Sequence, residues 1–195
     1  MDIVFISEER GSGTTANMHA VAQLCYDLQK KEQERGRPKW QQTKLRFIDC
    51  SAVSTEERKF YCKRADIIIV NLRQSDKSFQ SYFMKKQKYQ DKSMYLISRY
   101  RKESIWNREV IQRRYRMPKE RLCVIPQSNA YAFAYAQGRS QQFLQKIKEK
   151  KIQTLEEQEF TREVEQTARQ LLRLLEDRVE NSLIYFSDER ENIFA

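Results

Sequence analysis

The sequence predicts an α/β fold: a three-layer sandwich with a mostly parallel central sheet between helices, and further helices at its C-terminal end. Three observations predict it. Short apolar runs alternate with longer helical stretches, the order that builds parallel strands joined by helical crossovers. Residues 65–72 (Ala-Asp-Ile-Ile-Ile-Val-Asn-Leu) are apolar on both faces, as a central strand covered on two sides requires. Over residues 154–179, Phe160, Val164, Ala168, Leu171, Leu172 and Leu175 recur at steps of three and four, one apolar helical stripe.

The elements follow in order. Residues 2–7 carry Ile3, Val4, Phe5 and Ile6 and read as a short buried strand. A polar turn from Glu8 to Thr15 holds two of the chain's four glycines. A helix from about Thr15 to Glu34 turns Met18, Val21, Ala22, Leu24, Cys25 and Leu28 inward, and Gly36-Arg37-Pro38 ends it. Residues 44–50 form a second strand. Ser54, with Glu57 three residues later, has the spacing of a capping box. After the 65–72 strand come a helix over 79–89, a strand over 93–98, a helix over 104–116 and a strand over 121–125 closed by Pro126. Helices over 130–148 and 154–179 complete the layers. Residues 181–195 lose the period despite Leu183, Ile184, Tyr185, Phe186 and Phe194, and read as a tail.

A chain of 195 residues favours one domain. Its 39% apolar and 33% charged residues make it polar, but the 11% aromatics and dense Ile/Val/Leu runs exclude wholesale disorder. No apolar run approaches the ~20 residues that cross a bilayer, and no signal peptide is visible, so a cytoplasmic protein is expected. Cys25, Cys50, Cys62 and Cys123 lie far apart and read as buried free thiols in a reducing compartment. His19, the one histidine, falls inside the first helix and reads as structural, which leaves little basis for a zinc site or for Ser-His or Cys-His chemistry.

Charge is uneven. The formal net charge is +10, but residues 151–195 hold six bases and eleven acids, which leaves +15 on residues 1–150. The basic body would attract an anionic partner, whether protein, DNA or a membrane surface. The acidic end would neutralise it in cis or in a neighbouring subunit. Residues 73–121 carry fifteen bases and five acids, with Tyr82, Phe83, Tyr89, Tyr100, Trp106 and Tyr115 interleaved. Lys85, Lys86, Lys88, Arg113, Arg114 and Arg116 are the candidate anion or nucleic-acid face. The aromatics fall within helices and strands, which equally fits core packing.

The turn after the first strand is the chief candidate site. A strand, a glycine turn and a helix aim backbone N–H groups and a positive helix end at a phosphate. Gly11 and Gly13 let the backbone approach an anion, and a hydroxyl of Thr14 or Thr15 can face a phosphate or Mg²⁺. Arg10, Gly11, Ser12, Gly13, Thr14 and Thr15 are the candidate phosphate-binding residues. A tight turn with a threonine cap is the plainer alternative.

Several pieces resemble the ParA/MinD-type P-loop ATPases and occur in that family's order. They are Ile3-Val4-Phe5-Ile6 with Gly11-Ser12-Gly13-Thr14-Thr15-Ala16-Asn17, then Phe47-Ile48-Asp49 and the strand at 65–72. Tyr95-Leu96-Ile97-Ser98-Arg99-Tyr100 follows, and then Val124-Ile125-Pro126 with Ala134-Tyr135-Ala136-Gln137-Gly138. The likeness spans about residues 1–175 and implies a P-loop NTPase-like domain over 1–180, with 181–195 as a tail.

The departures bear on activity. Where the family's loop reads Lys-Gly-Gly-x-Gly-Lys-Thr-Thr, this chain has Glu9 and Thr14 at the two lysine positions. The lost lysine neutralises β/γ-phosphate charge in that family, a large part of phosphoryl-transfer catalysis. Arg10 is the nearest substitute cation. Only one strand is found between the first helix and residue 65, so Asp49 takes the Walker B place, with Thr15 as its companion at Mg²⁺. Ser98 stands where an adenine-contacting asparagine is common.

Within the family the chain most resembles the atypical TadZ/CpaE-like members of tight-adherence (Tad/Flp) pilus systems, without their receiver-like domain. The resemblance implies a localisation or assembly factor, ATP or ADP with Mg²⁺ or no ligand at all, and a homodimer or a related ATPase-like partner. Two alternatives stand beside it: an active ATPase using Arg10 or a partner's lysine, and a non-specific DNA binder acting through residues 85–121.

Overall fold

A computed structural model describes residues 1–35, 44–85, 89–149 and 154–191. Five strands, β1 (Asp2–Ile6), β2 (Arg46–Asp49), β3 (Ile67–Arg73), β4 (Ser93–Tyr100) and β5 (Leu122–Pro126), form one sheet in the order β2-β1-β3-β4-β5. Every pairing is parallel, with Ile3 opposite both Phe47 and Ile67. The helices are α1 (Thr14–Glu34), α2 (Thr55–Arg64), α3 (Asp76–Phe83), α4 (Arg108–Tyr115), α5 (Asn129–Ala136), α6 (Ser140–Lys148) and α7 (Leu155–Glu191).

Alternation along the strands divides the core in two. Ile3, Phe5, Ile67, Ile69, Met94, Leu96, Cys123 and Ile125 pack under α1, α5, α6 and α7. Val4, Ile68, Val70, Leu72, Tyr95, Ile97 and Val124 point the other way, under α2, α3 and α4. This is the expected three-layer sandwich, and it is compatible with a P-loop NTPase-like fold. β3 lies at the centre of the sheet and Ile67–Leu72 are buried throughout. All six residues of the α7 stripe are buried, each contributing roughly 1.5–3 kcal/mol for the larger side chains.

Local signals explain the boundaries. Ser54 and Glu57 form the reciprocal capping box at α2. The expected helix over 130–148 is two helices, because Gly138 takes φ +69° and turns the chain between α5 and α6. The helix expected over 79–89 starts earlier, at Asp76 on a Ser75 cap, and ends at Phe83. The final helix, expected to end near residue 179, continues through Glu191 into the stretch read as a tail.

The cysteines are buried and free; burial pushes the Cys50 thiol up to about 11 and Cys123 up to about 12, so neither is a ready nucleophile. His19 lies exposed on α1, its ring 5.5 Å from that of Tyr135. Aromatics of the basic middle pack together: Tyr115 stacks on Phe83 at 4.5 Å and on Trp106 at 6.2 Å, and Phe79 meets Trp106 and Tyr115 at a tilt. Phe79 is core, and the other three are half-buried against it. The acidic C-terminal region meets the basic body within the chain, through Lys102–Glu159 at 2.5 Å and Arg108–Glu163 at 3.1 Å.

Candidate functional site

In a doubly wound sheet, ligands bind outside the carboxyl ends of the strands, at the point where the strand order reverses. Here the chain leaves β1 for β2 on one side and returns to β3 on the other, so that point lies between β1 and β3. The loop at residues 7–13 emerges there. The strand order fixes where a ligand would sit; it does not identify the ligand.

The loop is held by a buried hydroxyl chain. Ser7 Oγ lies 2.8 Å from Ser12 Oγ, which lies 2.7 Å from Thr14 Oγ1. Asn71, fully buried on β3, donates from its amide nitrogen to the Ser12 carbonyl and to Thr14 Oγ1, both at 3.1 Å, and accepts from Asn17 Nδ2 at 2.9 Å. Ser12 and Thr14 therefore turn their side chains inward, and both residues are buried. Gly11 and Gly13 have φ +70° and +77°. A Cβ on Gly11 would meet nothing within 4 Å, and one on Gly13 would meet only Asn17 Nδ2 at 4.0 Å. Left-handed backbone, rather than protein crowding, is what requires glycine at both.

The helix start at Gly13 has no side-chain cap. Ser54, Ser75, Asn107 and Ser128 cap α2, α3, α4 and α5, so the first-turn N–H groups of α1 stand apart from those of its neighbours. Thr15, not Thr14, faces the second element of the expected pair: Thr15 Oγ1 donates to Asp49 Oδ2 at 2.5 Å, and Asp49 Oδ1 accepts from the Ser51 N–H at 2.8 Å. A cavity of about 540 Å³ opens here, lined by residues 9–16, Ser51 to Val53 and Tyr135. Tyr131 donates to the Ala16 carbonyl at 3.0 Å and ties α5 to the first turn of α1.

Charge around the loop is mixed. Arg10 is exposed and lines the cavity. Glu9 also lines it, and its Oε1 is buried without a hydrogen-bond partner among the described residues. Glu8 turns away to Arg58 at 2.7 Å and Lys85 at 2.5 Å. Burial would raise the Glu8 carboxyl, but those two cations outweigh it and hold it below the ordinary value.

The remaining candidates do not converge on the loop as one face. Lys85 is engaged by Glu8, while Lys86 and Lys88 lie outside the described residues. Arg113, Arg114 and Arg116 are exposed on the last turn of α4 and just beyond, with Arg114 over the Trp106 ring at 5.0 Å. Because α4 runs back from the carboxyl edge of the sheet, its last turn is directed away from the loop. Ser98 donates to the Leu72 carbonyl at 3.0 Å and is buried in the sheet, so its hydroxyl is used there.

Two residues escaped the sequence reading. Asn71 looked like part of an apolar strand, although an amide in the run at 65–72 was a visible anomaly. Arg99 was one cation among fifteen; here its Nη2 donates to the Gly11 carbonyl at 3.2 Å. No protein-family model matches the chain, and no curated protein matches it.

Proposed function

We propose that this chain is a phosphate-binding, ParA/MinD-like protein that works as a localisation or assembly factor, with weak or no ATP turnover. The observation that carries this reading is the Thr15–Asp49 pair beside a helix start that no side chain caps. A hydroxyl and a carboxylate are hard oxygen donors of the kind Mg²⁺ takes, and open N–H groups at a helix start favour an anion. Thr15 and Asp49 would hold the metal, while the backbone of residues 11–15 would hold the phosphates of ATP or ADP. The metal would offset phosphate charge.

Turnover needs more. Thr14 stands at the lysine position with its hydroxyl already bonded inward. Glu9 adds negative charge beside the cavity. A missing electrostatic donor of this kind costs roughly 3–4 kcal/mol of transition-state stabilisation. Function then lies in the surfaces presented with ligand bound, to a second copy or to a related ATPase-like partner, in a pilus-type machine by the family resemblance.

ATP hydrolysis and Mg²⁺-dependent ADP binding, measured on the wild type and Gly13→Asp, test the reading. We expect binding in the wild type alone and equal, background hydrolysis in both. Clear turnover that Gly13→Asp abolishes would overturn it.

A further inference from the structure

Arg99 sits at the end of β4, where the pairing with β5 shifts register between Ser98 and Tyr100. It is one of two non-glycine residues among those described with positive φ, at +53°. Such a conformation is costly for an arginine, and a bulge of this kind re-aims the side chain it carries. The guanidinium uses one of its five donors on the Gly11 carbonyl and remains exposed. It therefore spans the gap between the end of β4 and the loop after β1.

Beside it lies a cavity of about 680 Å³ lined by Arg73, Arg99 and Arg101, with Glu103 as the one acid. The wall is held in shape by Gln74, whose Nε2 donates to the carbonyls of Arg101 at 2.8 Å and Trp106 at 2.9 Å. Its Oε1 accepts from the Arg101 N–H at 2.8 Å. The Arg99–Gly11 bond thus links the linings of the two cavities, Gly11 lining the first and Arg99 the second.

We propose that Arg99 adds, from β4, positive charge to a loop in which Glu9 offsets Arg10, and that Arg73 and Arg101 extend the site so that it takes linked phosphates rather than a single one. Planar guanidinium groups pair bidentately with phosphate oxygens, and the 3.2 Å bond from Arg99 to the Gly11 carbonyl puts one such group at the loop and in the arginine cavity's lining at once. The inference rests on the phosphate-binding reading of the loop. Its ligand class is an oligophosphate, either free or carried by a nucleoside.

Calorimetric titration at low ionic strength tests it, with orthophosphate, pyrophosphate, AMP, ADP and ATP as separate probes in the presence of Mg²⁺. The wild type binds pyrophosphate, ADP and ATP at least tenfold tighter than orthophosphate or AMP. Matching affinities for pyrophosphate and ADP assign the ligand as free oligophosphate chemistry; a large preference for ADP adds the nucleoside. Arg99→Gly relieves the left-handed backbone, so thermal stability holds or rises while binding falls at least tenfold. Arg99→Lys recovers part of the loss, and Arg169→Ala, which removes one charge on α7, changes binding less than twofold. Equal binding by the wild type and Arg99→Gly, with loss in Gly13→Asp, overturns the role of Arg99 and leaves the loop reading standing. Undiminished binding by Gly13→Asp, or no binding of any probe by the wild type, overturns both.

Discussion

The two edges of the sheet use positive charge differently. At the amino edge, cations are spent on the protein itself. Lys92 donates to the carbonyls of Lys63 and Ala65 at the end of α2, and Arg121 to those of Gln90 and Ser93. Arg46 pairs with Asp2, and the amino terminus donates to the Lys44 carbonyl. At the carboxyl edge, Arg73, Arg99 and Arg101 line a cavity, and the one bond from Arg99 reaches the candidate loop. Cations close backbone carbonyls at the amino edge, whereas at the carboxyl edge Arg58 and Lys85 meet the Glu8 carboxylate and the three arginines line a cavity. Net charge alone does not separate the two uses; the direction of the strands does.

Substitutions at the two edges should separate stability from binding, and the largest effect is expected at Asn71. Asn71→Leu removes the donor to the Ser12 carbonyl and the acceptor of the Asn17 amide in a buried site, leaves the Thr14 hydroxyl only its Ser12 partner, and should cost about 3 kcal/mol in denaturant unfolding, with loss of phosphate binding. Arg121→Ala, at the amino edge, should cost about 1–2 kcal/mol and leave phosphate affinity unchanged. Equal effects of the two on binding would erase the contrast between the edges.

A smaller and pH-dependent effect belongs to Glu8, which braces the loop against α2 and α3. Its carboxyl titrates below the ordinary 4.5 in the folded protein, so it releases its proton more readily there than in the unfolded chain. The stability it adds is complete above about pH 5.5 and is lost as pH falls through the lowered folded value. The stability gap between the wild type and Glu8→Gln should therefore be constant at neutral pH and close in acid. A gap that widens in acid would contradict the pairing with Arg58 and Lys85.

Features set by neighbours in sequence were legible: the two-faced apolar run of β3, the Ser54–Glu57 box and the α7 stripe each follow from spacing along one element. The glycine turn was legible as a candidate for the same reason. Asn71 and Arg99 were not, because their roles depend on which strands lie side by side and on a bulge that local pattern does not signal. Only the order β1-β3-β4 brings Asn71 under the loop and Arg99 across to Gly11. The aromatics at 79–115 looked ambiguous because helical spacing fits both a core and an exposed stack; Phe79, Tyr82 and Tyr100 are buried, while Phe83, Trp106 and Tyr115 are half-buried against them.

Amide chemical shifts during titration with Mg²⁺ and pyrophosphate test the central claim most directly. The account predicts saturable movement of the N–H signals of Gly11, Gly13, Thr14 and Thr15, while those of Arg113, Arg114 and Arg116 stay in place. Movement confined to α4 or the amino edge, or no saturable movement at all, would contradict it.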